Sequence, residues 1–538
     1  MKKENNKILL VCKETYGAPL ILIAEILAVR GFEIALFFIQ NNECCYRNGE
    51  NKLTYFNAKK RLNITIYSVS NIHENLFKKE LGNWKEDLAK LEEKYKFEKP
   101  YVKQLVTSQA ASRPFHTRYY WPFADSDVVK KWYYLNFKTA LSILDEFKPD
   151  FVYDLDTAEM QRTILYEILK NTEIPYIQIE HSRVDDYLLP TFCLGTKVDY
   201  YFSNIFETRQ NAEYQAKAAV WIKEKRSQTS LLQEKFKGTF HEESTYTLMN
   251  LLLDLLKIFW QSYRSISIEL IIFRLKWRSR PFFAPFLAKT YWVIEAKIKR
   301  FLIAKKIVHI YDEIDKKDRY FYMPLHLTPE STTSVKAPDY IEEIENVKNY
   351  AKCLRSNEFL YVKEHPMMIG ERPLKFYREL HRIPNVKVID PMLVSEANTE
   401  LIKNAIGVIT ITGTSSFEAA ILKKPSVVHG PVYFELMRSV QRRDDFSSNG
   451  DVLNWMRDFE FNHRCELDLI QYVASVMFVG TSIKLREMLR ASMRQLKVSS
   501  GVTSPELKRE LERLIRFYER AIALTQEESI SKACERQL

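Results

Sequence analysis

Three signatures fall within residues 320–433: Tyr320-Phe321-Tyr322-Met323-Pro324-Leu325-His326-Leu327-Thr328-Pro329-Glu330, Val362-Lys363-Glu364-His365-Pro366, and Ile411-Thr412-Gly413-Thr414-Ser415-Ser416-Phe417-Glu418-Ala419. Among them lie four short apolar runs, Phe359–Val362, Val386–Ile389, Gly407–Ile411 and Ser426–Val428. Their β-branched residues suit strands buried on both faces of a parallel sheet. Helix-compatible segments, Asn398–Ala405 and Ser416–Leu422, separate them. Strand alternating with helix predicts a doubly wound α/β domain. Ligands of such a domain meet the carboxyl ends of its strands, which is where His365 and Gly413 to Ser416 should fall.

The turn from Thr412 to Ser416 ends a predicted strand and opens a predicted helix. The first amides of a helix have no intrahelical acceptor, and the dipole there is positive. Gly413 lets a ligand approach the backbone, and Thr414, Ser415 and Ser416 add hydroxyls, so the turn suits an anion such as phosphate. Glu418, one turn on, is placed to accept hydrogen bonds from sugar hydroxyls. A plainer reading is available: Thr414 or Ser415 caps the helix and Glu418 completes a capping box.

Taken together, the spacing of these signatures, with Lys424-Pro425 leading to Gly430-Pro431-Val432-Tyr433-Phe434, resembles bacterial capsule and surface-polysaccharide biosynthesis proteins. The resemblance is concentrated in residues 319–440. Those proteins look like GT-B glycosyltransferases, built of two Rossmann-like domains facing a cleft. The resemblance implies a nucleotide-activated sugar, used as substrate rather than cofactor, bound by the C-terminal half. It implies that Gly413, Thr414, Ser415 and Ser416 meet the diphosphate, Glu418 the ribose, and Lys363 and His365 the phosphates or nucleotide. A more distant similarity links the chain to polyol-phosphate transferases of teichoic acid synthesis.

The chain has 538 residues, 46% hydrophobic and 28% charged, enough for two or three globular domains. Its net charge of +11 favours anionic partners. The run after Lys7 is too short for a signal peptide, and no apolar run reaches bilayer-spanning length. Seven cysteines without Cys-x-x-Cys spacing predict a reduced, cytoplasmic chain without a zinc site.

Asn6–Cys12, Pro19–Arg30 and Phe32–Ile39 read as an opening βαβ unit, with Ile64–Val69 a third strand. The first turn holds Gly17 but no Gly-x-Gly-x-x-Gly, which disfavours a dinucleotide cofactor. The aromatic clusters Tyr119-Tyr120-Trp121 and Trp132-Tyr133-Tyr134 are expected in the core. Val128–Phe147 reads as a helix, Phe151–Tyr153 as a strand, Thr157–Asn171 as a helix and Pro175–Ile179 as a strand. Asp154 and Asp156 invite a metal reading, but Asp156 or Thr157 is well placed as a helix cap, and no metal is assigned. Glu180-His181-Ser182-Arg183 follows a strand and should face the cleft. There His181 suits a general base, tuned by Glu180 or Asp185, and Arg183 suits an anion or acceptor group. The alternative is a solvated surface loop.

Between Lys257 and Lys306 stand twelve basic residues and two acidic ones, a net +10, interleaved with aromatics from Phe259 to Trp292. That pattern suits an anionic membrane surface, or else helices that fill a domain interface and leave their charges solvated. Nucleic acid is not expected, for lack of a binding motif. Leu467–Phe478 and Ile483–Leu496 read as helices. Ser504-Pro505 opens another that runs to about Thr525, with the last dozen residues frayed.

The expected organisation is an acceptor domain over 1–240, a basic helical insert over 241–318, a nucleotide-donor domain over 319–470 and C-terminal helices over 471–538. The expected activity is metal-independent glycosyl transfer to a glycan or lipid-linked acceptor at the inner face of the cytoplasmic membrane. His181 is the expected base, and His326 and Glu330 are second candidates for catalysis or for holding the sugar. The rivals are a polyol-phosphate transferase, a nucleotide-sugar 2-epimerase-like enzyme and a non-enzymatic assembly scaffold.

Overall fold

The computed structural model describes residues 6–39, 50–69, 72, 81–108, 126–228, 231, 248–249, 252–253, 255–256, 298–299, 301–328, 330–369, 372–391, 396–498, 502 and 504–535. Most of the basic segment 257–306 and the cluster Tyr119–Trp121 lie outside the described residues. Two sheets dominate the fold. The first contains β1 (Lys7–Cys12), β2 (Glu33–Phe38), β3 (Thr65–Ser68), β4 (Phe151–Tyr153), β5 (Tyr176–His181) and β6 (Tyr187–Thr191). The second contains β7 (Arg319–Pro324), β8 (Glu358–Lys363), β9 (Val386–Ile389), β10 (Val408–Thr410), β11 (Ser426–Val428) and β12 (Val440–Arg442). A last short strand, β13 (Thr481–Ser482), returns to the first sheet.

The sheet orders are β3-β2-β1-β4-β5-β6-β13 and β9-β8-β7-β10-β11-β12. All described pairings in the second sheet are parallel. In the first, β6 runs antiparallel to β5, and β13 antiparallel to β6. Each half therefore starts with an inner strand, winds outward through two more, then crosses back to the other side. This is the strand order of a dinucleotide-binding fold, with a switch point between β1 and β4 and another between β7 and β10.

Side-chain alternation explains why both faces need covering. Ile8, Leu10 and Cys12 join one core with Ile34, Leu36 and Phe38, while Leu9 and Val11 join another with Ala35 and Phe37. Successive residues of a strand point to opposite faces, so near-continuous apolar strands demand helices on both sides. Phe321 and Met323 of β7 likewise face away from Tyr320 and Tyr322. Trp132, Tyr133 and Tyr134 sit in the N-terminal core, as expected.

The predicted elements are recovered with small shifts of their ends. The helix read from Thr157 starts at Met160, and the one read from Ser416 starts at Thr414. Ser504 Oγ accepts the Leu507 amide at 3.3 Å, and Pro505 is the first helical residue. That helix continues to Glu535, past the fraying expected near Thr525.

The C-terminal segment closes back on the first half. The helix His463–Val479 packs against Ala212–Ser227, and β13 extends the first sheet. Helix Pro505–Glu535 then buries Leu507, Leu511, Leu514, Ile515 and Phe517 against the core of β1 and β2. Tyr518 stacks on Tyr153 with centroids 4.1 Å apart and donates its hydroxyl to the Asp154 carbonyl at 2.9 Å. Truncating any one of these buried leucines to alanine costs about 2–5 kcal/mol. A further core joins the halves: Val184, Leu189, Phe202 and Trp221 meet Phe417, Val428, Tyr433, Phe434 and Tyr472.

Candidate functional site

The switch point of the second sheet brings the first and third signatures together. His326 follows β7, and the Gly413 turn follows β10. Glu343 Oε1 accepts both the backbone N–H of His326 (2.7 Å) and its Nδ1 (3.0 Å), so the ring proton on Nδ1 faces the carboxylate. In that tautomer Nε2 accepts from the Thr410 hydroxyl at 2.8 Å. Thr410 Oγ1 in turn accepts the Gly413 N–H at 3.0 Å. Both ring nitrogens of His326 therefore have protein partners, and the side chain is buried. The surroundings are those of a residue that holds the turn.

Gly413 occupies the cap position with extended backbone, φ −73° and ψ 152°. Its conformation does not require glycine, but its surroundings do. A Cβ here would collide with Thr410 Oγ1 and lie 3.1 Å from His326 Nε2. Gly413 was expected to clear space for a ligand; the structure shows that it also clears space for this network. Ser416 turns inward, donating its hydroxyl to the Gly413 carbonyl at 2.8 Å. Thr414 and Ser415 stay half-buried at the mouth of the turn. No side chain caps the start of this helix; Ser416 donates its amide to the Gly413 carbonyl at 3.2 Å, which leaves the Thr414 and Ser415 amides to face an anion.

Beside the turn lies the end of β8. Lys363 is buried and donates to Asn398 Oδ1 at 3.2 Å, an oxygen that also accepts the Tyr322 hydroxyl at 2.7 Å. Asn398 Nδ2 reaches Glu418 Oε2 at 3.4 Å. Burial pulls the Lys363 ammonium down to about 8, against the opposing pull of Glu418 and Asp390. Burial likewise pushes the Glu418 carboxyl up to about 7, opposed by Lys363 and by Arg183 from the other half. A side chain from each wall of the cleft thus acts on Glu418.

His365 is half-buried, and burial depresses it to about 4, so it is neutral near pH 7. Its backbone N–H donates to Glu364 Oε1 at 2.7 Å. Glu364 and Glu343 share Arg372, which ion-pairs with both, at 2.8 Å to Glu364 and more closely to Glu343. A continuous polar chain of Thr410, His326, Glu343, Arg372 and Glu364 therefore runs beneath the turns after β7, β8 and β10. Removing a partner from such a buried network is costly, because the remaining charge loses its compensation.

The opposite wall comes from the first sheet. His181 is the last residue of β5 and is exposed; Arg183 follows it at φ 69°. Burial raises the Tyr16 hydroxyl, and Asp156 and, from the second half, Glu330 add to the shift. Asp154 and Asp156 hold Arg162 instead of a metal: Arg162 Nε and Nη2 donate to Asp154 at 2.6 and 2.8 Å, and Nη1 to Asp156 at 3.0 Å. Asp156 Oδ1 also accepts the Thr157 amide at 2.8 Å, but neither residue caps the helix as expected: the helix opens at Met160, and Glu159 occupies the cap position. No metal-binding group of His, Cys, Asp or Glu occurs among the described residues. Non-glycine residues with positive φ stand after β1 (Glu14), after β4 (Glu159) and after β5 (Arg183, Asp185). Strain of this kind concentrates at functional edges.

Asn398, Thr410, Glu343 and Arg372 escaped the reading of the sequence. Glu343 stands in a run with Glu342 and Glu345, and nothing local distinguishes it. Asn398 only opened a predicted helix.

Residues 290–438 match the model of a family described as capsule polysaccharide biosynthesis protein. The resemblance seen over 319–440 falls almost entirely within that match. No curated protein matches the chain. Among solved structures it is similar to KpsC of Thermosulfurimonas dismutans, described as a beta Kdo 2,7 transferase, at 11% identity and TM-score 0.29, over 63% of this chain and 80% of that one. A second KpsC structure from that organism, a beta Kdo 2,4 transferase, gives 12% and 0.31, over 61% and 79%. The UDP-GlcNAc 2-epimerase of Methanocaldococcus jannaschii gives 11% and 0.22, over 85% and 94%.

Proposed function

We propose that this chain is a glycosyltransferase of capsule or surface-polysaccharide synthesis, moving a sugar from a nucleotide-activated donor to a glycan or lipid-linked acceptor. One observation carries the reading: within the family match, the Gly413 turn, Lys363, His365 and Glu418 converge at the switch point of a dinucleotide-fold sheet. Such crevices bind nucleotides. The leading amides of helix Thr414–Ile421, with the Thr414 and Ser415 hydroxyls, take the donor phosphates, and Lys363 supplies a cation. Glu418 and Asn398 take ribose or sugar hydroxyls. In transfer, a base removes the acceptor hydroxyl proton while Lys363 and the helix amides stabilise negative charge on the departing phosphate. His181 is the proposed base, being exposed at the edge of the acceptor wall; Glu330 is the second candidate. His326 is assigned to holding the turn. The scheme needs no metal step. A binding screen of nucleotide sugars and of nucleotide-activated polyol phosphates tests it. A polyol-phosphate donor bound in place of every sugar donor would transfer the site to the rival activity.

We further propose peripheral attachment to the cytoplasmic face of the membrane. Its support is the net +10 of residues 257–306 together with exposed apolar side chains just before that segment, Leu248, Met249, Leu252, Leu253 and Leu256, and near its end, Ile298 and Leu302. No described helix is long and apolar enough to cross a membrane. Each basic residue near an anionic leaflet contributes about 1 kcal/mol, and salt should weaken the attachment. Co-sedimentation with anionic and neutral vesicles across a salt series tests this; equal binding to both would overturn it.

A further inference from the structure

The segment from Glu330 to Ala337 belongs to the second half by sequence, yet it is anchored in both. Residues Ser331–Val335 form one turn of π-helix, a geometry that recurs at functional sites. At one end, Thr412, adjoining Gly413, donates its hydroxyl to the Thr332 carbonyl at 2.6 Å. A Cβ at Gly430 would meet Thr412 Cγ2 at 2.5 Å and Ala337 Cβ at 2.9 Å, so the segment is tightly seated on the donor side. At the other end, Val335 is fully buried in the core of the first half, and Lys99 Nζ donates to its carbonyl at 2.7 Å.

Next along the chain, Lys336 crosses to the first half. Its Nζ lies 2.6 Å from Glu180 Oε2, and the two side chains are only 5% and 8% exposed. Glu180 immediately precedes His181. Gly195, at φ +62°, makes room for the pair: a Cβ there would lie 2.8 Å from both Glu180 Oε2 and Lys336 Cε. Burying two charges costs much of what their attraction returns, so such a pair is poor evidence of added stability and better evidence of a fixed register.

We propose that Lys336, through Glu180, is a positioning residue: it holds the His181–Arg183 edge of the acceptor wall at a set distance from the Gly413 turn. Occupied by a donor, the turn then presents the sugar to an edge already in register. The proposal rests on the transferase reading for its effect on rate, but not for its effect on structure.

The experiment compares the wild type with Lys336→Met, Glu180→Gln, the charge-reversed double variant Glu180→Lys/Lys336→Glu, and Gly195→Ala, which wedges the pair while leaving both charges. Expected results are a fall in kcat of tenfold or more in each single variant, donor Kd by calorimetry within twofold of wild type, and partial recovery in the reversed double variant. Hydrogen exchange at the amides of residues 181–187 and 331–337 should rise at least tenfold in Lys336→Met, while β7 to β11 remain protected. Unchanged kcat with unchanged exchange at 181–187 would overturn the positioning role, as would loss of donor affinity in step with kcat. A wild-type protein inert with every donor would defeat the transferase reading, and the exchange measurement would still decide the contact.

Discussion

The two switch points are built on one strand order and finished differently. In the first half, the loops after β1 and β4 are joined by the buried Lys13–Glu159 pair at 2.8 Å, and Arg162 is completely enclosed by Asp154 and Asp156. In the second half, the loops after β7 and β10 are joined by the hydrogen bond between His326 and Thr410, which continues into the buried Glu343–Arg372–Glu364 pairs, while Asn398 bridges Lys363 and Glu418. The first crevice spends its charge on itself. The second adds a cation and a carboxyl pulled by burial to about 8 and about 7, bridged by Asn398. A site that greets an anion reversibly is served by groups whose charge can adjust near neutral pH.

That contrast can be broken most forcefully in the first half. Arg162→Met leaves the buried Asp154 and half-buried Asp156 carboxylates without this partner, so unfolding free energy should fall by about 3–5 kcal/mol, read by denaturant titration, with donor Kd unchanged at a temperature where the variant is folded. Loss of donor affinity with intact stability would reverse the roles assigned to the two crevices. In the second half, Gly413→Val should abolish measurable donor binding, about a hundredfold or more, because its side chain meets Thr410 and His326 and displaces the turn. Calorimetry showing unaltered affinity would remove the turn from the site.

Across the cleft, His181→Ala should lower kcat about a hundredfold, within the usual contribution of a general base, with donor binding retained. Normal turnover would pass the role to Glu330, tested by Glu330→Gln. Lys363→Met should weaken donor binding about tenfold with little change in unfolding midpoint, and the opposite pattern would make Lys363 a structural ion like Arg162.

The smallest expected effect is on pH. Glu418 ionises as pH rises through about 7, and Lys363 loses its proton as pH rises through about 8. With carboxylate and ammonium both engaged by the donor, affinity should rise, peak between those values and fall, by a few-fold on each side. Glu418→Gln should flatten the acidic limb alone. A profile identical to wild type would separate Glu418 from the donor.

Most of the sheet strands were legible because buried parallel strands are short apolar runs between helical stretches. The pieces that escaped are antiparallel or very short, β6, β12 and β13, whose residues carry no distinct periodicity; β13 has only two residues. The assignment of residues 471–538 as a separate set of helices could not reveal that Leu511, Leu514 and Tyr518 complete the core of β1 and β2, since an amphipathic stripe does not name the surface it covers.

The chain by itself determined the strand–turn–helix around Gly413, because strand composition, a glycine and the hydroxyls are local properties. It also singled out Lys363, His365 and Glu418 as candidates, which the fold then gathers beside that turn. Tertiary structure alone decided their states. Burial and neighbours set Lys363 near 8 and Glu418 near 7, surrounded His326 with Glu343 and Thr410, and matched Lys336 with Glu180 across 156 residues of chain. Electrostatic energy depends on distance and on exclusion of water, and neither is written along the chain; both come into being only when the two sheets close on each other.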